Sequence, residues 1–365
     1  MNDALDRNPG VAAPGADPHV ERTLAGWSAA VINFNGGSLV CDTIASIKAT
    51  WSPPAEILLV DDQSTDQSVA LVRARHPDVR IVPMPDHTGH PSAVRNAALR
   101  ATRHGSVLLC DNDVHLAPDA VQHLMATMQS HADAAVCSAV VVYDDDPGSI
   151  QMRAHPLHFL CWSTALQERT LAEARARGGA RDGIGCGIQL VAREQAAAAG
   201  LFDENLTLGW MDDADLHHRL NILGYRCLSV PEAVVVHRRV RSVSRIYGQI
   251  HNRWYVMLSH YQLRTLIVIA PALVMFELLL LGYVLLSGEA GSYVRALRDV
   301  VAKLPQIREL HRRVQGGRRV SDKQVLSAID LGLPRHLMGR KGLVLLMRPL
   351  SLCLRWYWSI AGLIL

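Results

Sequence analysis

Three acidic clusters and one histidine have residue types and spacings suited to chemistry on charged or hydroxylated substrates. The first is Val60-Asp61-Asp62-Gln63-Ser64-Thr65-Asp66. A carboxylate at a strand end can accept a hydrogen bond from the ring N–H of a pyrimidine, although Asp, Ser and Thr are also ordinary helix-start residues. The second is Asp111-Asn112-Asp113. Two carboxylates one residue apart after a buried strand can hold a divalent ion against a diphosphate, since Mg²⁺ and Mn²⁺ take oxygen ligands and share them with substrate phosphates. The same three residues also read as a polar turn. The third is Gly209-Trp210-Met211-Asp212-Asp213-Ala214-Asp215-Leu216, which runs into the helical spacing Leu216, Leu220, Leu223. Acids are favoured in a first helical turn. Three of them beside Trp210 and Met211 exceed what a cap needs, and an apolar rim would raise a carboxyl pKa as a general base requires. Last, His237 ends the run Ala233-Val234-Val235-Val236. It reads either as a third metal ligand or as an exposed histidine. Arg238, Arg239 and Arg241 follow it and suit phosphate.

The elements that must position these clusters alternate along the chain. Strands are expected at Ala29–Phe34, Glu56–Val60, Val79–Pro83, Ser106–Cys110 and Ala134–Tyr143. Helices are expected at Leu39–Thr50, Asp66–His76 (capped by Ser64 or Thr65), Ala93–Arg103 and Pro118–Ser130. The strands are continuously apolar, so both faces of the sheet are covered. The fold class is α/β, a doubly wound, mostly parallel sheet. Ligands bind such sheets outside the carboxyl ends of the strands. Asn33 and Asn35, Asp61 and Asp62, and Asp111 and Asp113 all follow strands, so they should line one rim.

The chain has 365 residues, about half of them apolar, enough for a sizeable core. Its net charge of +3 hides an asymmetry. Gly288–Leu365 carries 14 Lys/Arg against 5 Asp/Glu, while the rest carries 23 against 29. An acidic body with a basic tail implies an anionic partner near the C-terminus. The seven cysteines form no CxxC pair, which argues against a zinc knuckle or disulfide framework and for buried thiols in a reducing compartment. Residues 1–26 are rich in Ala, Pro, Gly and Asp without an apolar stretch; they read as a disordered lead-in rather than a signal peptide.

Taken in order, these pieces resemble the inverting family 2 glycosyltransferases of GT-A fold, of the rhamnosyltransferase-like type that builds bacterial cell-surface glycans. The resemblance covers roughly Trp27–Tyr261. Val31-Ile32-Asn33-Phe34-Asn35 resembles the first strand, Val60–Asp66 the nucleoside-binding VDxxSxD, and His90–Leu99 with Arg95-Asn96 the A-R-N helix. Asp111-Asn112-Asp113 resembles the DxD motif. Gly185-Cys186-Gly187, Arg193 and Gly200-Leu201-Phe202-Asp203 resemble the acceptor-side G…R…GxFDE stretch. Asp212-Asp213-Ala214-Asp215-Leu216 with Arg219 resembles ED-x-DL, and His237 with Ser242 the closing H-x-x-x-x-S. Two positions depart from the pattern: Asp212 stands where the family has Glu, and His87-Thr88-Gly89-His90-Pro91 replaces Asn-x-Gly.

The resemblance implies a single displacement with inversion, from a nucleotide-diphosphate sugar to a hydroxyl of a glycan or lipid-linked acceptor. Asp213, or Asp212, is the base. Asn33, Asn35, Asp61, Asp62 and Arg95 hold the nucleotide. Asp111, Asp113 and His237 hold Mn²⁺ or Mg²⁺, and Trp210 and Asp215 face the acceptor. A competing reading is a non-catalytic nucleotide-sugar-binding subunit of a membrane glycan-assembly complex; the intact acids argue against it.

Beyond a catalytic domain at residues 27–262 lies a helical, basic extension at residues 263–365. Thr265–Leu286 has the length of a bilayer span with Glu277 its only charge, and Leu343–Leu365 is a second apolar stretch broken by Arg348 and Arg355. If Thr265–Leu286 spanned, the Arg-rich loop would lie on the side that basic residues avoid. Monotopic attachment at the cytoplasmic face of the cell's inner membrane avoids this and sets Arg312, Arg313, Arg318 and Arg319 against anionic lipid. The alternatives are insertion of Thr265–Leu286 across the bilayer, and a helical hairpin packed on the domain or on a second copy, giving a homo-oligomer. Arginines bracketed by membrane-like segments point away from nucleic acid.

Overall fold

The computed structural model describes residues 26–162, 168–206, 211–238, 246–331 and 341–365, with side chains from residue 349 in the last segment. The chain begins with β1 (Ser28–Asn33), α1 (Leu39–Lys48), β2 (Glu56–Asp61), α2 (Ser68–Arg75), β3 (Arg80–Pro83), α3 (Pro91–Ala101) and β4 (Ser106–Asp111). It continues through β5 (Val114–Leu116), α4 (Ala120–Ser130), β6 (Ala134–Tyr143), β7 (Ile150–Met152), β8 (Leu157–His158), α5 (Leu171–Ala176), β9 (Arg181–Asp182), β10 (Gln189–Ala192) and α6 (Arg193–Ala198). Then come α7 (Asp212–Ile222), β11 (Arg226–His237), α8 (Ile246–His260), α9 (Leu263–Leu286), α10 (Ala290–Ala302), α11 (Leu304–Gly317), α12 (Asp322–Val325), β12 (Leu326–Ser327) and α13 (Lys341–Ala361).

The central sheet runs β3-β2-β1-β4-β10-β6-β11-β5. Strands β3, β2, β1 and β4 are parallel, as are β6 and β11. The expected mostly parallel sheet is present, with antiparallel β5, β7 and β9 at its margins and one antiparallel strand inside it. β10 inserts antiparallel between β4 and β6, which the sequence reading had treated as successive strands. Its four residues, Gln-Leu-Val-Ala, are too short to show a period.

Side-chain alternation builds a core on each face. Ala29 and Val31, Ile57 and Leu59, and Leu108 and Cys110 pack under α1, α2 and α4. Ala30, Leu58 and Val60, and Val107 and Leu109 pack under α3 and α7. Each fully buried Leu or Ile in these layers contributes about 2 kcal/mol. Six of the seven cysteines are buried and all are free, as their apolar neighbours suggest.

One local expectation fails. Neither Ser64 nor Thr65 caps α2, which starts at Ser68 after Gln67. The Ser64 hydroxyl is engaged at the strand ends instead, donating to Asp61 and accepting from Asn33.

The second core continues into the C-terminal helices. β12 pairs with β8, and the Gln262 N–H donates to Asp322 at 2.6 Å. Helix α9 buries Ile269, Leu273, Phe276, Leu280 and Val284 along one stripe and exposes Leu263, Ile267, Val274, Leu278 and Leu285 along the other. Helix α13 lies against it: the Tyr357 hydroxyl donates to the Val268 carbonyl, and Trp358 stacks on Phe159 at 4.9 Å. Among the described residues α9 alone has the length and apolarity to cross a membrane.

Candidate active site

The carboxyl ends of β1, β2 and β4 come together as expected, bound by their own side chains. The Asn33 amide donates to Asp61 Oδ1 at 2.7 Å and to the Ser64 and Ser68 hydroxyls, and its carbonyl accepts from Asn112 at 2.9 Å. Asp61 also accepts from the Ser64 N–H and hydroxyl. Asp62 accepts from the Thr88 N–H and hydroxyl and from the Gly89 N–H. Asp61 and Asp62 are only 6% and 3% exposed, and Asn33 is fully buried. These three side chains are the ones expected at the nucleoside; in the structure their hydrogen-bonding groups are engaged with one another and with the neighbouring loops, which fixes the shape of the rim. Asn35 is held with φ +51°, its side-chain oxygen accepting from the Thr65 and Asp66 N–H groups.

What these loops present outward is aromatic. Phe34 is exposed and stacks on His87 at 4.3 Å. The pair carries no local signal in the sequence, because its two residues belong to different loops.

The other end of the rim centres on Arg95, projected from α3. Its guanidinium is buried, pairs with Asp212, stands 3.9 Å from Asp111 and lies 5.6 Å over the Phe202 ring. Pro91 at the first turn starts α3 after extended His90, and the Asn96 side chain clasps the Phe202 backbone in both directions at 2.9 Å. Arg95 was expected among the nucleotide contacts. In the structure it gathers three acids from two elements: Asp111 from β4, and Asp212 and Asp213 from α7.

Helix α7 begins after Met211, whose φ is +70°. Burial, reinforced by the charge of Asp212, raises the Asp213 carboxyl to about 7 despite the nearby Arg95. The upward shift expected of a base is therefore present. Asp215 faces the other way. It is fully buried, ion-paired to Arg219 and 3.2 Å from His260. This corrects its placement on the acceptor side: one helical turn carries Asp212 and Asp213 to the rim and Asp215 into the core. Trp210, Arg239 and Arg241 lie outside the described residues.

Asp113 and His237 do meet: the ring Nε2 is 3.1 Å from Asp113 Oδ1 and Nδ1 is 2.9 Å from Gln151 Oε1. Asp111 does not complete a three-residue set with them, and among the described residues no group of three His, Cys, Asp or Glu gathers around one point. Burial first, and then the charge of Asp113, raises the Asp111 carboxyl, while Arg95 opposes the rise.

A buried histidine missing from the sequence reading supports the site from behind. Burial holds the His217 pKa down at about 3, so the ring is neutral. Its Nδ1 accepts from the Gly185 N–H at 3.1 Å, so Nε2 carries the proton and donates to Gln189 Oε1 at 2.6 Å. This anchors Gly185–Gly187 beside Arg95. A Cβ on Gly187 would stand 3.0 Å from Arg95 Nη2.

Residues 28–187, which include the β1, β2 and β4 ends, Arg95 and Gly187, match the sequence model of Glycosyl transferase family 2. They form a family 2 glycosyltransferase domain. Among curated relatives, the N-acetylglucosaminyl-diphospho-decaprenol L-rhamnosyltransferase of Mycobacterium tuberculosis is 26% identical over 240 residues, covering 59% of this chain and 76% of the relative. Succinoglycan biosynthesis protein ExoO of Rhizobium meliloti is 28% identical over 223 residues, covering 59% of this chain and 62% of the relative. Among solved structures, S. aureus TarS 1–349 superposes with a TM-score of 0.51 at 14% identity, over 92% of this chain and 90% of that one. GalNAc-T7 with UDP, GalNAc and Mn²⁺ gives 0.52 at 16% identity, over 65% and 48%. At these identities the structural likeness establishes the GT-A fold of the glycosyltransferase domain.

Proposed function

We propose that this glycosyltransferase moves a sugar from a nucleotide-diphosphate donor to a hydroxyl of a lipid-linked or cell-envelope glycan, with inversion, at a membrane surface. The observation that carries the reading is the convergence of Asp111, Asp212 and Asp213 on Arg95 at the carboxyl rim, with the Asp213 carboxyl at about 7. A base poised near neutral pH is what removal of a hydroxyl proton needs.

The nucleoside docks where the first two strands end. The exposed Phe34–His87 stack is an aromatic platform for its base, and Asn33, Asp61 and Asp62 hold the loops beneath it. Asn35, at the same strand ends, borders the nucleotide. Asp213 takes the acceptor proton, the freed oxygen attacks the anomeric carbon from the face opposite the diphosphate, and the C–O bond to the diphosphate breaks. Asp212, tied to Arg95, keeps α7 oriented for this step.

Asp111 and Asp113 fit a divalent ion. Burial, and after it the like charge of Asp113, raises the Asp111 carboxyl, and a cation between the two would relieve the repulsion. An all-oxygen donor set of two carboxylates leaves the other positions of Mg²⁺ or Mn²⁺ for water and donor phosphate. His237 beside Asp113 is either a further ligand or the group that orients that carboxylate. Such an ion supplies neutralisation of the leaving diphosphate.

The outward stripe of α9, the exposed Leu352, Trp356 and Ile360 of α13 and the basic extension support interfacial attachment to an anionic membrane surface. The relatives that carry lipid-diphosphate and polysaccharide names agree with an envelope acceptor.

The test is a thermal-shift screen against UDP-, GDP- and dTDP-sugars with Mn²⁺, followed by donor turnover with and without EDTA. One donor is expected to stabilise the protein, by about 2.7 kcal/mol at a hundred times its Kd. Turnover is expected to stop on chelation. No stabilisation and no metal-dependent turnover with any nucleotide sugar would contradict the reading.

A further inference from the structure

An open groove of about 220 Å³ runs between α8, α9 and α10. Trp254, Ala270, Val274, Leu278 and Tyr293 wall it, and Glu277 supplies its one carboxylate. That carboxylate is engaged elsewhere: one oxygen pairs with the fully buried Arg253, and the other accepts from the Tyr293 hydroxyl at 2.9 Å. The Arg253 guanidinium is covered in turn by Phe276 at 4.8 Å. The groove therefore offers apolar surface and no free charge. The one polar group it leaves over is the buried Trp254 indole N–H, which has no partner among the described residues.

The geometry points to a binding site for the polyprenyl chain of a lipid-linked acceptor. This rests on the reading of the chain as a glycosyltransferase acting at a membrane. Three features choose this occupant. First, Val274 and Leu278 belong to the same outward stripe of α9 as Ile267 and Leu285, so the groove opens along the apolar face rather than into bulk water. A chain threading it leaves lipid without crossing a polar barrier. Second, an open trough with one long apolar wall suits a flexible chain segment, which gains by burial along its length. Third, Arg264 on α9 and Arg295 on α10 are exposed on the helices that wall it, a charge complement to the phosphate at the head of a polyprenyl phosphate, while Arg298 beside them pairs with Asp299.

The test uses the full-length protein in detergent micelles with a benzophenone-tagged polyprenyl phosphate, followed by peptide mapping. Labelling is expected on the Ala270–Leu278 and Trp254 peptides. Undecaprenyl phosphate should compete for it, and phosphatidylglycerol should not. The substitutions Val274→Trp and Leu278→Trp fill the groove from exposed positions without making the helix polar. Each should cut labelling at least tenfold while the protein still binds phosphatidylglycerol vesicles. Ile267→Trp, on the same stripe outside the groove, should label as wild type. Equal competition by phosphatidylglycerol would overturn the proposal by making the groove a general acyl-chain contact. Labelling confined to α13, or undiminished labelling of Val274→Trp, would overturn it as well. A shift of the protein from monomer to dimer on Val274→Trp would assign the face to a second copy instead. Donor turnover is read separately, so a failed groove with intact donor turnover sinks this inference alone.

Discussion

At the residue scale, the site is a contest between burial and charge. Asp213 and Asp212 stand at a helix N-terminus, where the dipole favours carboxylates, yet burial and mutual repulsion hold Asp213 at about 7. Arg95 limits that rise and keeps the acids together. The account predicts that displacing Arg95 damages chemistry before stability. Gly187→Ala puts a methyl 3.0 Å from Arg95 Nη2, at the movable end of the side chain. The expected result is a loss of kcat on the order of tenfold to a hundredfold, with a melting temperature close to wild type. Unchanged kcat would show that the guanidinium position does not matter. A second prediction concerns the aromatic platform. Phe34→Ala removes one partner of an exposed stack, so donor KM should rise on the order of tenfold while kcat holds, equivalent to about 1.4 kcal/mol of binding. Steady-state kinetics in donor decides it; a fall in kcat at constant KM would place Phe34 elsewhere in the cycle.

At the element scale, α7 is the part whose placement matters most, and its anchor is the buried Asp215–Arg219 pair. Asp215 and Arg219 are buried one turn beyond the rim, with Arg219 also donating to the Ala199 and Leu201 carbonyls. Asp215→Ala leaves a buried guanidinium without its counter-ion, so it should cost roughly 3–5 kcal/mol in chemical denaturation. A change under about 1 kcal/mol would mean the pair is not what seats the helix. Much of this layout was legible in the sequence. Strand β6 occurs at the expected residues, and the acids do follow strand ends, because continuous apolar runs and polar stops are local signals. The rest depended on contacts distant in the chain. Arg95 and Asp212 are 117 residues apart, and nothing near either announces the pair. β10 is too short to show a period, and it takes the place between β4 and β6 that consecutive strands were expected to share. Asp61 and Asp62 read as ligands from their types; their hydrogen bonds to Asn33, Thr88 and Gly89 come from other elements and loops, which residue type does not announce. Asp215 shares its residue type with Asp213, and only the helical turn separates a rim acid from a core acid.

At the scale of the whole molecule, an acidic α/β body is joined to a basic helical extension in which α9 and α13 turn apolar side chains outward. On the proposed function, the body serves donor chemistry and the extension meets a lipid surface. The full-length protein should therefore bind vesicles containing phosphatidylglycerol more tightly than neutral ones. That preference should weaken as salt rises past the screening of surface charge, without vanishing, because the apolar term remains. Ile267→Glu together with Leu285→Glu removes two outward side chains that contribute about 2 kcal/mol each when buried, so vesicle partitioning should fall by more than tenfold. Co-sedimentation measures this, and binding unaffected by the double substitution would rule out α9 as the contact.

The claim on which these scales converge is that Asp213 is the base in a sugar transfer built on the carboxyl rim. The most direct measurement is the pH dependence of kcat/KM for transfer, wild type beside Asp213→Asn, with donor binding followed in the same samples. A base at about 7 must be unprotonated to act. Wild-type activity should therefore fall about tenfold per pH unit below 7 and level off above it. The Asn variant should bind donor normally, lose about a thousandfold in rate, within the range of a general base, and show no inflection near 7. An Asn variant with wild-type transfer, or with the same pH profile at reduced rate, would contradict the account.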